Sequence, residues 1–493
     1  MTSHIKTRGR PPIMTRMNDA NRRGVYTPLG YRSVSVASYD GRTATRGSGA
    51  YHERYDRGQL IDQSRQFFRD NGIYRGMIDR AASYIVGNGF SLQAKTSNAK
   101  WNADVERLWR EFWRSPEIKQ VVPGRRIERM VCRELLLAGD TGAIKTDLGL
   151  LQLVEAEQIA RKTRGKNQDN DGIDKDEWGR PTQFWVSPYG SYGRVTTSNA
   201  KSYTPEEFLF ITDPERPSSI RGVPPCQAVF PMLHRINDVC DSEAIAWQIL
   251  ARVAVSITRQ GGAELGHQES TEDTTKSSTD ASTNLTDRMT ELDYALLFHG
   301  EPGEEIRGVE RNIPGKDFSQ SLIMFLRLLG LPLGLPLEVI LLDWTKSNYS
   351  QSRAVLEQAY QTFIGWQLLI EDFFYRPVYE WKVTKWIASG RLTTRRDAFA
   401  HECLKPTYPW LDQLKEVEAW GEKAERGFAT HQQICKSLGF DRQDIVTARE
   451  EEVRDAIERA KQIEAETGVA VPWQIFAGLK PESGSSRRDI QET

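Results

Sequence analysis

Three fragments of the sequence carry residue types that could do chemistry. Gly139-Asp-Thr-Gly142-Ala-Ile-Lys145-Thr146 sets glycines before a lysine, in the manner of a phosphate-binding loop. That loop needs glycine immediately before the lysine so that backbone N–H groups can wrap the phosphates, and Ile144 stands there instead. A helix end turning into a strand reads better. Gly87-Asn88-Gly89 is too short for a dinucleotide fingerprint and lacks the following helix that would present its N-terminus. His401-Glu402-Cys403 offers metal ligands, yet a zinc protease needs two histidines one helical turn apart and a structural zinc needs four close ligands. The seven histidines are scattered, and no Gly-x-Ser-x-Gly elbow occurs. Acid pairs such as Glu155 and Glu157 arise by chance among 67 carboxylates. No catalytic residue, metal ligand or cofactor site is assigned.

The bulk composition narrows the function classes further. With 493 residues, 39% of them hydrophobic and 10% aromatic, the chain can build several packed units. Lys+Arg 66 against Asp+Glu 67 gives a formal net charge of -1. A protein that grips DNA by neutralising phosphates carries a basic surplus, because counterion release supplies most of the affinity. A DNA partner would therefore be one this chain does not hold tightly. The cysteines, Cys132, Cys226, Cys240, Cys403 and Cys435, are odd in number and widely spaced, which points to a reducing compartment without a disulfide framework. No apolar signal region opens the sequence. Residues 1–56 instead read as a polar basic arm, solvated and flexible, or alternatively one that ties neighbouring subunits together or touches nucleic acid.

These residues must be positioned by an α+β, mostly helical architecture. Apolar periodicity predicts helices over 57–71, 73–86, 102–114 and 125–138, with a strand at 90–94. Short strands are expected at 150–154, 182–186 and 208–212, and the polar stretch 162–179 is expected to be a loop. A long helix follows over 224–258, its stripe formed by Val229, Leu233, Ile236, Val239, Ala246, Ile249 and Val253. Residues 261–288, dense in Ser, Thr, Asp and Glu, cannot build a core. Leu322–Leu342 has about the length of a membrane span, but Arg327, Glu338, Pro332 and Pro336 oppose one. A buried helix, a turn and a short strand are expected there. The aromatic run 352–386 reads as a helix that Pro377 kinks or breaks, its aromatics serving as core or subunit interface. Residues 411–465 are helical and 481–493 form a polar tail.

Five patches, in order, carry a resemblance. They are Asn71-Gly-Ile-Tyr-Arg-Gly-Met-Ile-Asp-Arg80 with Ile85-Val-Gly-Asn-Gly-Phe90; Leu151-Gln-Leu-Val-Glu-Ala-Glu157 with Gly179-Arg-Pro181; and Arg216-Pro217 with Ile220-Arg-Gly-Val-Pro224. Then come Leu328–Leu337 with Trp344-Thr-Lys-Ser-Asn-Tyr-Ser-Gln-Ser-Arg-Ala354, and Pro409-Trp-Leu-Asp412 with Glu416–Ala419, Leu438-Gly-Phe-Asp441 and Ala448–Glu452. No single patch is specific, but their joint order resembles the lambda-type portal proteins of tailed bacteriophages. Gln351 interrupts the serines of the family's Asn-Tyr-Ser-Ser-x-Arg-like segment, a small departure.

The resemblance implies a portal fold with wing, stem, clip and crown regions, assembled as a twelve-subunit ring around a channel. It implies a wing over 57–223, a stem helix over 224–258, a clip over 259–315, and a second stem helix and turn over 316–342. A tunnel loop over 343–351, a kinked helix and wing return over 352–410, and a helical crown over 411–480 would follow. Such a ring sits in the virion at one capsid vertex after assembly in the host bacterial cytoplasm. Its partners would be other copies of itself, the terminase large subunit, the major capsid and scaffolding proteins, and head-completion or tail adaptor proteins. Double-stranded DNA passes through it, and no membrane is involved. ATP hydrolysis would belong to the terminase, so the chain is expected not to be an enzyme. Lys346, Asn348, Tyr349 and Arg353 lie where the family narrows its channel. Lys346 with Asn348 would make weak, sequence-blind phosphate contacts; the lysine reads equally as an ordinary solvated loop residue. The alternatives from other classes are a cytosolic hydrolase or transferase with a dispersed site, and a membrane-associated protein using Leu322–Leu342.

Overall fold

A computed structural model describes residues 49–161, 172–257, 289–292, 295–299, 316–343, 349–407, 413–469 and 471–479. The chain divides into two units, one containing Cys226–Asp343 and the other Thr45–Pro225 with Trp344–Thr493.

The larger unit begins with two helices, α1 (Gly49–Asp70) and α2 (Gly72–Val86). Asn71 separates them, its side chain accepting a 2.8 Å hydrogen bond from the Tyr74 N–H and so capping α2. Tyr74, Met77, Ile78, Ala81, Ala82 and Ile85 bury one face of α2 at the helical spacing that the sequence shows. A glycine turn leads to β1 (Ser91–Ala94), then to α3 (Ala99–Trp113) and α4 (Gly124–Ala138). The stripe Val105, Leu108, Trp109 and Phe112 is buried as expected. α2 packs against α4, and α4 runs directly into β2 (Asp140–Lys145), so the helix-to-strand reading of Gly139–Thr146 holds.

β2 is the central strand of an antiparallel sheet between β3 (Leu151–Val154) and β7 (Phe208–Thr212). A second sheet joins β4 (Ile173–Lys175), β5 (Pro181–Val186) and β6 (Lys201–Tyr203). The expected loop over 162–179 is thus corrected in part. Residues 162–171 lie outside the described residues, but Ile173–Lys175 is a strand. Ile173 pairs with Phe184 and shares its core with Ile144, Val154, Val186 and Phe208, which outweighs the polar local sequence.

A buried ion pair closes this unit. Arg221 donates to both carboxylate oxygens of Asp140, at 2.6 and 2.8 Å, and to the carbonyls of Ile159 and Ala156, each at 2.9 Å. The Gly222 N–H adds a third bond to Asp140 at 3.0 Å. The lock needs two bare backbones in contact. Gly139 adopts φ +83°, and a Cβ there would lie 2.3 Å from the Val223 backbone. A Cβ on Gly222 would lie 2.0 Å from the Gly139 carbonyl oxygen.

The smaller unit starts with α5 (Phe230–Arg252), which buries Phe230, Leu233 and Ile236. Further along, Val239, Ile245 and Trp247 are about half exposed, at 44%, 56% and 48%. The helix expected to reach residue 258 stops at Arg252. Val253–Ile257 is a strand, β8, as the run of β-branched residues favours. β10 (Ala295–His299) lies parallel to β8 and antiparallel to β9 (Met289–Leu292). Most of the Ser/Thr-rich stretch 261–288 and its flanks lies outside the described residues. α6 (Lys316–Gly330) then packs on α5. The short strand expected after it is instead a helix, α7 (Leu337–Leu341), reached through a 3-10 turn over Leu331–Leu333. Pro336 sets the N-cap of α7, where its missing N–H costs nothing. No helix among the described residues is long and apolar enough to cross a membrane.

The chain returns to the larger unit with α8 (Tyr349–Ile370), a π-helical turn (Glu371–Tyr375) and α9 (Arg376–Ala388). Pro377 has no N–H to give the Phe373 carbonyl, and the wider turn absorbs the break. Arg376 N–H reaches back to the Glu371 carbonyl. β11 (His401–Leu404) pairs antiparallel with β1. The helical stretch expected over 411–465 comprises α10 (Gln413–Glu425), α11 (His431–Ser437) and α12 (Arg442–Thr467). Thr430 and Asp441 cap the second and third.

The Arg221–Asp140 lock generates a stability prediction. Asp140→Ala leaves the buried Arg221 guanidinium without its carboxylate, which Arg57 Nη1 also approaches at 3.5 Å, and is expected to cost about 3–5 kcal/mol in urea denaturation. Replacing both partners, Asp140→Leu with Arg221→Met, is expected to cost less. A double variant as unstable as the single one contradicts the assignment.

Candidate functional site

Of the four residues expected to face a channel, Lys346 and Asn348 lie outside the described residues. Tyr349 is the first residue of α8. Arg353 sits one turn further on and is half exposed, its guanidinium 3.3 Å from the buried Glu416 carboxylate of α10. The described geometry therefore fixes the helix that leads out of the 344–348 segment, and it ties that helix to the C-terminal helices.

α8 is braced over its second half, from Tyr360 onwards. Tyr84 stacks on Phe363 with ring centroids 5.5 Å apart. Gln367 donates to the carbonyls of Ile85 and Pro406, both at 3.0 Å, and the Tyr360 hydroxyl donates to Pro406 O at 2.5 Å. Past the π turn, the Tyr375 hydroxyl donates to the Phe90 carbonyl at 3.1 Å. Phe374 and Tyr375 pack against Trp109 and Trp113 of α3. The turn Gly87–Gly89 is where these contacts converge. At Gly89, with φ +97°, a Cβ would meet Glu128 Oε2 at 2.7 Å and Arg125 Cγ at 2.9 Å.

Glu128 is fully buried beneath this turn. Its carboxylate accepts from the Phe90 N–H at 3.1 Å and from the Trp113 indole at 3.2 Å. Burial nevertheless dominates, outweighing both bonds and the nearby Arg125, and lifts its pKa above the usual carboxylate range to about 8. A second buried titratable group lies on α9. Lys382 donates to the Gly149 carbonyl at 3.0 Å and sits 4.1 Å from the Phe112 ring centroid. Burial, with Lys385 and Arg391 nearby, lowers its pKa to about 8. Lys385 bonds the Thr146 and Asp147 carbonyls of the same hairpin. The two lysines hold the β2–β3 turn on α9.

The fragments with chemical potential all have structural work. Asp140, in the apparent phosphate loop, is the partner of Arg221. His401, Glu402 and Cys403 alternate along β11: the His401 ring packs on Tyr379, Glu402 pairs with Lys95 and Lys436, and Cys403 is buried. Glu157 pairs with Arg65, which also bonds Glu134 at 2.8 Å. All five cysteines are free. Burial raises the thiols of Cys132 and Cys226 to about 12. No group of three or more His, Cys, Asp or Glu suited to a metal occurs among the described residues. Sequence reasoning missed Arg221, Glu128 and Lys382, because each is marked only by partners remote in the chain.

Comparison with known proteins assigns the family. The family described as phage portal protein, lambda family, matches residues 38–367, well over half the chain. The chain belongs to that family. The first four sequence patches fall inside the matched stretch, whereas the fifth, in 409–452, lies beyond it. Among solved structures, a chain of the virion of a native gene transfer agent particle is 14% identical, covering 78% of this chain and 93% of that one at a TM-score of 0.41. A chain of the neck of the native particle computed with C12 symmetry is 14% identical, with coverages of 78% and 94% and a TM-score of 0.42. A chain of the neck of the empty particle computed with C6 symmetry is 16% identical, with the same coverages and a TM-score of 0.41. Family membership rests on the sequence match.

Glu128 gives a pH dependence of known sign. Its folded pKa lies above its unfolded value, so its contribution is complete below about pH 4.5 and is lost as pH rises towards about 8. Wild-type stability in urea is expected to fall across this window relative to Glu128→Gln, by up to about 1.4 kcal/mol per pH unit. Parallel wild-type and variant curves contradict the assignment.

Proposed function

We propose that this portal-family chain forms a closed homo-oligomeric ring, a dodecamer, at one capsid vertex, where it serves as the channel for genome packaging and ejection. The observation that carries the reading is family membership over residues 38–367. The exposed apolar residues of α5 give physical support. Val239, Ile245 and Trp247 stand about half exposed along α5, apolar surface of the kind that neighbouring copies of the chain would cover. The near-zero net charge suits a conduit that touches phosphate without trapping it.

In this reading residues 57–223 form the wing, α5 and α6 the stem, and 259–315 the clip. The clip faces the terminase motor during packaging, then the head-completion and tail adaptor proteins. The 343–351 segment is the tunnel loop, 352–410 the kinked helix and wing return, and 411–480 the crown. The capsid and scaffolding proteins surround the ring, which assembles in the host cytoplasm and ends in the virion. The chain positions a motor and performs no catalysis itself; DNA passes through the channel without sequence recognition. Lys346, Asn348, Tyr349 and Arg353 lie at the constriction, where Arg353 is partly neutralised by Glu416 and Lys346 is the stronger candidate for phosphate.

Two experiments test this reading. Phage deprived of the chain are expected to yield heads without DNA, with filling restored when the chain is supplied in trans. DNA-filled heads in its absence contradict a portal role. Lys346→Glu is expected to lower the yield of full, stable heads more than Lys346→Ala does. Unchanged packaging and retention in the Glu variant contradict the channel assignment of this residue.

A further inference from the structure

The C-terminal helices carry two apolar surfaces that are open among the described residues, and the charged side chains beside them differ in sign. One lies on the first half of α12, a helix of 26 residues that buries only Ala456 and Ala460. There Ile445, Val446 and Val453 form a shallow groove of about 440 Å³, flanked by Arg449 and Arg454 against the single Glu450. The other lies between α10 and α11, where Val417, Trp420, Ala424, Ile434 and Leu438 line a groove of about 410 Å³. Glu425 and His431 stand on its rim, and Lys423 Nζ lies 4.6 Å from the Trp420 ring centroid on the flank away from Glu425. Glu418, seven residues earlier, falls on the same flank of α10, two helical turns away. Arg449 makes only a 3.6 Å exposed pair with Glu452. Among the described residues Arg454, Glu418 and Glu425 make no ion pair within the chain.

We infer that the Arg449/Arg454 face of α12 docks into the Glu418/Glu425 groove of a second copy of this chain. Opposite charge selects this pairing over the alternatives. Two α12 faces would bring arginine against arginine, and two α10–α11 grooves would bring glutamate against glutamate; like charges in a contact are strongly disfavoured. The two surfaces share no residue, so each copy offers one of each. A contact between different patches is heterologous, and when its rotation closes it generates a ring. The apolar floors supply the buried area, and the charges set orientation and register. The inference deepens the ring reading above and rests on it. It assigns a lateral contact to residues 413–467, all of which lie beyond the stretch that matches the family.

A charge exchange tests the contact in the full-length protein. Arg449→Glu/Arg454→Glu gives a chain acidic on both surfaces, and Glu418→Lys/Glu425→Lys gives one basic on both. All four positions are exposed, and far-UV circular dichroism is expected to match wild type. In sedimentation velocity over a concentration series, each variant alone is expected to need about tenfold more protein than wild type to assemble. Mixed in equal amounts, they present opposite charges to each other and are expected to assemble within about threefold of wild type. Variants that assemble alone like wild type, or a mixture no better than its components, overturn the contact while leaving the ring intact. A wild-type chain that stays monomeric throughout overturns the ring reading, and this contact with it.

Discussion

The buried pair between Arg221 and Asp140 is the interaction on which the larger unit depends. Taking a guanidinium and a carboxylate out of water costs several kcal/mol per ion, and only saturated hydrogen bonding offsets it. Here saturation is reached by bringing several segments to one point. Asp140 comes from the junction of α4 and β2, the accepting carbonyls of Ala156 and Ile159 from the chain after β3, and the guanidinium from the segment after β7. Gly139 and Gly222 let those segments touch backbone to backbone. Once the pair is made, the order β3–β2–β7 is fixed and the chain leaves the sheet at one defined place.

A second convergence does for the helices what the ion pair does for the sheet. α8 and the π turn after it are bound to the Gly87–Gly89 turn by Gln367, Tyr375 and ring stacking, while Glu128 holds the same turn from beneath. That convergence makes the second half of α8 part of the packed core. Pro377 matters for the same reason. The widened turn it provokes rotates Phe374 and Tyr375 into the aromatic core, instead of letting the helix break freely.

The helices were legible because their signals are local. The stripes of α2 and α3, the end of α2 at Gly87, and the passage from α4 into β2 all follow from spacing within one or two turns. The breaks within 411–465 were also written locally, in the capping box of Thr430 and Gln433 and the cap at Asp441, and the strong helical composition hid them. What could not be read depends on distant partners. β11 is four residues long and becomes a strand only by pairing with β1. Arg221 and Asp140 stand 81 positions apart, and nothing near either marks the other. The resemblance to portal proteins nonetheless passed through these places, because Asn71, Gly87–Gly89 and Arg221–Gly222 are where caps, turns and the buried pair fix the backbone. Among the candidate channel residues, Arg353 has a partner, Glu416, 63 positions away, that the sequence did not suggest.

The most direct measurement of the central claim is electron-microscopic class averaging of the purified chain. The account requires closed rings with an axial hole wide enough for a DNA duplex, built from a single kind of subunit. Particles that remain solid monomers, with no ring at any concentration, would contradict it.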